Sequence, residues 1–325
     1  MENRLEGLIA ATFTPMHADG SLNLAEVPQM VAHLERSGVR GIYVGGSTGE
    51  GMSLTTEERI ELAEAYVAVA KGRLTTVVHV GHNCLRDARQ LARHAQESGA
   101  DIISATTPSY YKINSVELLA DCMAEVAAAA PRLPFYYYHI PALTGAALDM
   151  PSFLRIASGR IPNLVGLKYT APTIYEYQAC FDVSDNKFDV VWGLDEMLLS
   201  ALAVGARGAI GSTYNIAAPL YCRLMEAYAK GALDHARHLQ SLSIDLIRIL
   251  GGYPFHAAVK SVLKEFGIRC GPCRLPLASL STAQERQLRS DLEAAGLLSV
   301  LLQPTLSELV ADRSPALTPS TTLAS

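Results

Sequence analysis

Six cysteines in 325 residues (Cys84, Cys122, Cys180, Cys222, Cys270 and Cys273) are too few and too scattered for a disulfide framework, so reduced thiols are expected. Only Cys270 and Cys273 share a motif-like spacing. With no second pair and no strand-to-helix turn around them, they read as loop cysteines, neither a redox pair nor half of a zinc site. Basic runs are missing and the net charge is a modest -5, so neither nucleic acid nor an anionic membrane surface is an expected partner. No apolar stretch is long enough to span a bilayer, and the opening MENRLEGLIAATFTPM carries charges where a signal peptide needs an apolar core. These absences predict a cytoplasmic protein whose partner is a small molecule. With 49% hydrophobic and 18% charged residues, the chain can bury a large core.

What is present is an alternation. Short β-branched runs ending in Gly, Pro, Ser or Thr are followed by amphipathic stretches of helical period, the pattern of repeated βα units. Eight runs qualify: 7–15, 38–46, 75–81, 100–108, 134–141, 163–170, 189–196 and 205–212. Eight parallel strands close a barrel, so the predicted fold is α/β, a (β/α)8 TIM barrel over 1–230. Helical segments near 217–229, 234–250 and 255–298, the last broken at CGPCRLPL, predict a C-terminal helical extension over 231–300 packed on the barrel. A Ser/Thr/Pro-rich tail over 301–325 is expected to be disordered. An open doubly wound sheet would need a glycine-rich dinucleotide turn after the first strand, and TFTPMHADG contains none.

The sixth run, NLVGLKYT, ends with Lys168 on the same face as Gly166, Leu164 and Thr170. If that face is the barrel interior, Lys168 stands at the C-terminal mouth, where barrel active sites lie. A lysine there can also snorkel to water or pair with a carboxylate. A desolvated lysine loses its proton more readily, and a neutral amine attacks carbonyls to form a Schiff base. The preceding run, PFYYYHIP, supplies Tyr138 as a phenol able to relay a proton, while Tyr136 and Tyr137 read as packing against helices. Gly45 to Gly51, GGSTGEG, offers main-chain N–H groups with the Ser47 and Thr48 hydroxyls as a carboxylate cradle, although a plain βα loop has the same composition. Asp195 and Glu196 end the seventh run and Ser212 the eighth, a set suited to a polyhydroxylated substrate, unless one carboxylate only caps a helix. His79 and His82 in HVGHN read as ordinary strand-end residues, not metal ligands.

The set GGSTGEG, YYYHIPALTG, GLKYT, GLDE and GSTYN resembles the N-acetylneuraminate lyase branch of the dihydrodipicolinate synthase superfamily, animal-type members in particular, over roughly residues 5–300. The resemblance implies a homotetramer and a class I aldolase mechanism without metal or cofactor. It makes Lys168 the Schiff-base lysine, Tyr138 the proton relay, and Ser47 with Thr48 the carboxylate site. Thr170, Gly193, Asp195, Glu196 and Ser212 match positions that hold the sugar chain, and Tyr110 or Tyr111 matches a tyrosine that reaches a neighbouring subunit's relay. Leu143 occupies the place of an arginine that grips a second carboxylate in the dihydrodipicolinate synthases. A leucine cannot bind an anion, so a sugar-derived substrate is favoured. The implied reaction is reversible aldol cleavage of N-acetylneuraminate. The alternatives are another pyruvate-dependent aldolase, acting on a 2-keto-3-deoxy sugar acid or aspartate semialdehyde, and a catalytically silent ligand-binding barrel.

Overall fold

A computed structural model describes residues 4–183 and 187–303. Eight parallel strands pair in chain order and close on themselves: β1 (Gly7–Ala11), β2 (Gly41–Val44), β3 (Thr75–His79), β4 (Ile102–Ala105), β5 (Phe135–His139), β6 (Leu164–Tyr169), β7 (Asp189–Trp192) and β8 (Gly208–Gly211). Each strand lies inside its predicted run, because the runs also took in the loop residues beyond the strand ends. Alternation divides every strand between two layers. Ile9, Tyr43, Val77, Ile102, Tyr138, Val191 and Ile210 pack together in the barrel interior. Leu8, Ile42, Val78, Ile103, Leu167, Val190 and Ala209 face the helices.

Local chemistry places the helices as the sequence suggests. Thr55 and Glu58 form a reciprocal capping box at the head of Thr56–Ala70, while Ser115 and Asp149 cap Val116–Ala127 and Met150–Ala157 through their side chains. Gly38, Gly99 and Gly205, after three helix ends, hold φ of 89°, 82° and 108°, a conformation other residues resist. Beyond β8 run the helices Tyr214–Ala229, Leu233–Gly251, Phe255–Leu263, Thr282–Ala294 and Leu297–Leu301. Leu301, assigned to the tail from sequence, is buried in the last of these helices, since its apolar side chain completes their packing. The remaining tail, 304–325, lies outside the described residues.

Two sequence expectations need correction. Leu164 does not share a face with Lys168: the β5/β6 register runs Phe135 to Leu164 and then Tyr136 to Gly166, and this irregularity puts Leu164 on the helix side and Val165 against the interior cluster. Tyr136, read as packing against helices, points into the barrel instead. Its hydroxyl donates to Asp189 Oδ2 at 2.7 Å, and the Leu5 N–H donates to the same oxygen at 2.9 Å, a polar floor at the N-terminal end of β7. Tyr137 does face the helices, with its ring 4.8 Å from that of Phe153.

Candidate active site

At the C-terminal ends of the strands a cavity of about 250 Å³ is lined by Ser47, Thr48, Tyr138, Lys168, Thr170, Gly193, Asp195, Glu196 and Ser212. The candidate catalytic and substrate-binding residues picked out from sequence meet there, except Tyr110 and Tyr111. These two stand on the loop after β4, 79% and 83% exposed, with their rings edge to face at 5.1 Å. Leu143 is also outside the lining, 64% exposed, and Ile140 lines the wall instead. In this chain, then, the polar residues within the cavity say more about the substrate than the leucine does.

Lys168 sits on β6 directly opposite Tyr138 on β5. Only 4% exposed, its Nζ lies 4.1 Å from the centre of the Tyr138 ring and 4.5 Å from that of Tyr43. Among the described residues no carboxylate or hydroxyl pairs with this nitrogen, so the snorkelling and ion-pair readings do not describe it. An amine desolvated among aromatic faces can add to a carbonyl.

Tyr43 and His79 complete this aromatic nest, and sequence reasoning missed their part in it. The Tyr43 ring stands edge-on to Tyr138 at 5.7 Å, and its hydroxyl donates to Ser104 Oγ at 3.0 Å. His79 also meets Tyr138 edge-on, at 6.0 Å. The Thr106 N–H donates to His79 Nε2 at 3.2 Å, and Nδ1 lies 3.2 Å from both the Gly45 carbonyl and Arg59 Nη2. Burial first, then the charges of Arg59 and Lys168, hold this imidazole well below its ordinary pKa, and it is neutral. Arg59 donates to the carbonyls of His79 and Gly81 at 2.7 and 2.8 Å, tying the end of β3 to the helix Thr56–Ala70.

The opposite wall is polar. Thr48 Oγ1 and Ser212 Oγ are 2.6 Å apart, which joins the loop after β2 to the end of β8. Asp195 Oδ2 accepts from the N–H and hydroxyl of Thr213 at 2.9 and 2.6 Å, and Thr213 in turn contacts the Tyr221 hydroxyl at 2.7 Å. Burial pushes the Asp195 carboxyl up to about 6 against those hydrogen bonds. Two glycines make the room: a Cβ on Gly211 would stand 1.7 Å from Asp195 Oδ1, and one on Gly193 would stand 1.9 Å from Thr170 Oγ1. Ile247, Phe255 and His256, from the C-terminal helices, close the rim, and His256 Nε2 meets the Ser47 carbonyl at 3.0 Å. No local signal marks these three, since they reach the site only through packing of the extension. Burial pushes the thiols of Cys270 and Cys273 up to about 12 and about 11, consistent with unreactive loop cysteines.

Residues 4–295 match the Dihydrodipicolinate synthetase family. The chain belongs to that family. N-acetylneuraminate lyase A of Xenopus laevis is 45% identical over 281 residues, 85% of this chain and 92% of the relative. The structure of Proteus mirabilis N-acetylneuraminate lyase superposes with a TM-score of 0.89 at 39% identity, covering 91% of this chain and all of that one, 100%. A Ruminococcus gnavus sialic acid aldolase, solved as a catalytic lysine mutant, follows at a TM-score of 0.87 and 29% identity over 93% of this chain and 100% of that one. The family barrel thus accounts for the eight-stranded topology, and its mouth holds the lysine, phenol and hydroxyl set described above.

Proposed function

We propose that this protein is a carbon–carbon lyase, a Schiff-base aldolase that cleaves N-acetylneuraminate reversibly to N-acetylmannosamine and pyruvate. The observation that carries the reading is the buried Lys168 amine set against the Tyr138 ring, within the cavity that Ser47 and Thr48 also line. The names of the Xenopus laevis and Proteus mirabilis relatives support the substrate. So does the polar wall of Asp195, Glu196 and Ser212, which suits sugar hydroxyls better than a second carboxylate.

In this reading the hydroxyls of Ser47 and Thr48 hold the substrate carboxylate, and Lys168 adds to the C2 ketone of the open-chain sugar. Loss of water gives a protonated imine. The C3–C4 bond then breaks, its electron pair flowing into the imine to leave an enamine, while the C4 hydroxyl proton passes to Tyr138 as the phenol hands its own proton to the substrate carboxylate. N-Acetylmannosamine departs as the aldehyde. Protonation of the enamine at C3 and hydrolysis release pyruvate and restore the amine. No metal or cofactor enters these steps. A homotetramer, a cytoplasmic location and a contribution of Tyr110 or Tyr111 to a neighbouring subunit's relay belong to the same reading.

Borohydride added with pyruvate is expected to fix a three-carbon adduct on Lys168, and N-acetylmannosamine release is expected to vanish in Lys168→Ala. An unmodified Lys168 sinks the mechanism. Faster turnover of a 2-keto-3-deoxy sugar acid or aspartate semialdehyde would reassign the substrate, and no turnover with any keto acid would leave a silent barrel.

A further inference from the structure

The loop that holds Ser47 and Thr48 contains a residue the reaction does not call for. Glu50 has φ of 56°, and among the described residues it is the only one besides glycines with positive φ. A side chain in that conformation is strained and persists only where its surroundings over-determine it. Here both carboxylate oxygens are fixed from more than 200 residues away. Oε1 pairs with Lys260 Nζ at 2.6 Å, with the two side chains 2% and 0% exposed, and Oε2 accepts the Arg274 N–H at 2.8 Å. Lys260 also donates to the Pro272 carbonyl at 2.8 Å.

The segment that supplies these partners, Cys270 to Arg274, is itself fastened to the barrel. The Met16 N–H donates to the Cys270 carbonyl at 3.0 Å. Arg274 donates to the Gly20 carbonyl at 2.7 and 2.9 Å and to the Ser53 carbonyl at 3.1 Å. Its guanidinium forms a two-pronged pair with Glu58, whose Oε2 lies 2.6 Å from Nη1 and also takes the Thr55 N–H in the capping box. Other contacts fix the cradle on its remaining sides: Thr14 Oγ1 donates to the Gly49 carbonyl at 2.6 Å, and His256 holds the Ser47 carbonyl. A buried ion pair is weak evidence for stability, because desolvation offsets its attraction. One that pins a strained residue two positions from Thr48 has a geometric role instead.

We propose that Glu50, clamped by Lys260 and the Arg274 main chain of the C-terminal extension, is the positioning residue of the Ser47 and Thr48 cradle and sets the affinity for the keto-acid carboxylate. The inference rests on the aldolase reading above. Positioning of this kind acts on bound ground state and transition state alike, so it moves KM and spares kcat.

Glu50→Gly tests it, since glycine tolerates the backbone conformation while the tether is lost. The pyruvate concentration for half-maximal borohydride trapping at Lys168, and the KM for N-acetylneuraminate, should each rise about 10-fold or more, with kcat and the trapping rate at saturating pyruvate retained. The paired Glu50→Gln/Lys260→Met variant leaves no buried charge unpaired, is expected to behave alike, and decides the matter if the single variant does not fold. Unchanged half-saturation in the folded variant, or equal loss of kcat and kcat/KM, overturns the proposal. Wild-type protein that fails to trap pyruvate overturns the aldolase reading instead.

Discussion

Lys168 and Tyr138 face each other across the β5/β6 ladder, with the Lys168 nitrogen 4.1 Å from the centre of the phenol ring. The ring body therefore shields the amine, and among the described residues no hydrogen bond engages its hydroxyl, which the proposed reaction uses for proton transfer. Tyr138→Phe keeps the first role and removes the second. Cleavage of N-acetylneuraminate should fall at least about 100-fold, while borohydride trapping of pyruvate on Lys168 continues. Loss of trapping in this variant would mean that the hydroxyl serves imine formation as well.

Asp195 predicts a pH dependence. Its folded-state carboxyl, raised to about 6 by burial, binds a proton more tightly than an unfolded aspartate near ~3.9. The folded state therefore loses stability as pH rises from about 4 to about 6 and levels off above, a term of about 3 kcal/mol at most. Asp195→Asn keeps an oxygen for Thr213 and should flatten that segment, as read by thermal unfolding across the range. Affinity for the sugar should weaken in wild type as pH falls through about 6, because the protonated acid accepts fewer hydrogen bonds.

Gly211→Ala puts a methyl group onto Asp195. The carboxylate must turn away, and sugar cleavage is expected to drop about 100-fold with pyruvate trapping at Lys168 retained. Gly193→Ala should act likewise through Thr170. Equal loss of trapping and cleavage would place the damage in the barrel and not in the sugar site.

Tyr136→Phe provides the contrast. It strips one hydrogen bond from buried Asp189 at the barrel floor and should cost about 1–3 kcal/mol in denaturant unfolding, with kcat unaltered. A changed kcat would mean that the floor communicates with the mouth.

The strands and their C-terminal residues were legible because alternation and turn residues are local signals. Lys168, Tyr138 and the Ser47/Thr48 loop each sit at the end of a recognisable βα unit, and the barrel brings such ends together. The direction of Tyr136 was not legible, since neighbouring tyrosines satisfy either layer and only the register decides. His256 and the Glu50 clamp were invisible for a different reason: their partners lie over 200 residues away, and no periodicity records such a pairing. CGPCRLPL drew attention through its cysteines, yet Arg274 and the main chain beside it make the contacts.

The span between Glu50 and its clamp is also an interval of time. Lys260 follows Glu50 by 210 positions, so during synthesis at ~5–20 residues per second the cradle waits roughly 10 to 40 s for its counter-ion. All eight strands leave the ribosome before Lys260 does. On the reading proposed above, the Ser47 and Thr48 cradle of a nascent chain stays untethered until the extension emerges, so full affinity for a keto acid is expected to arrive last.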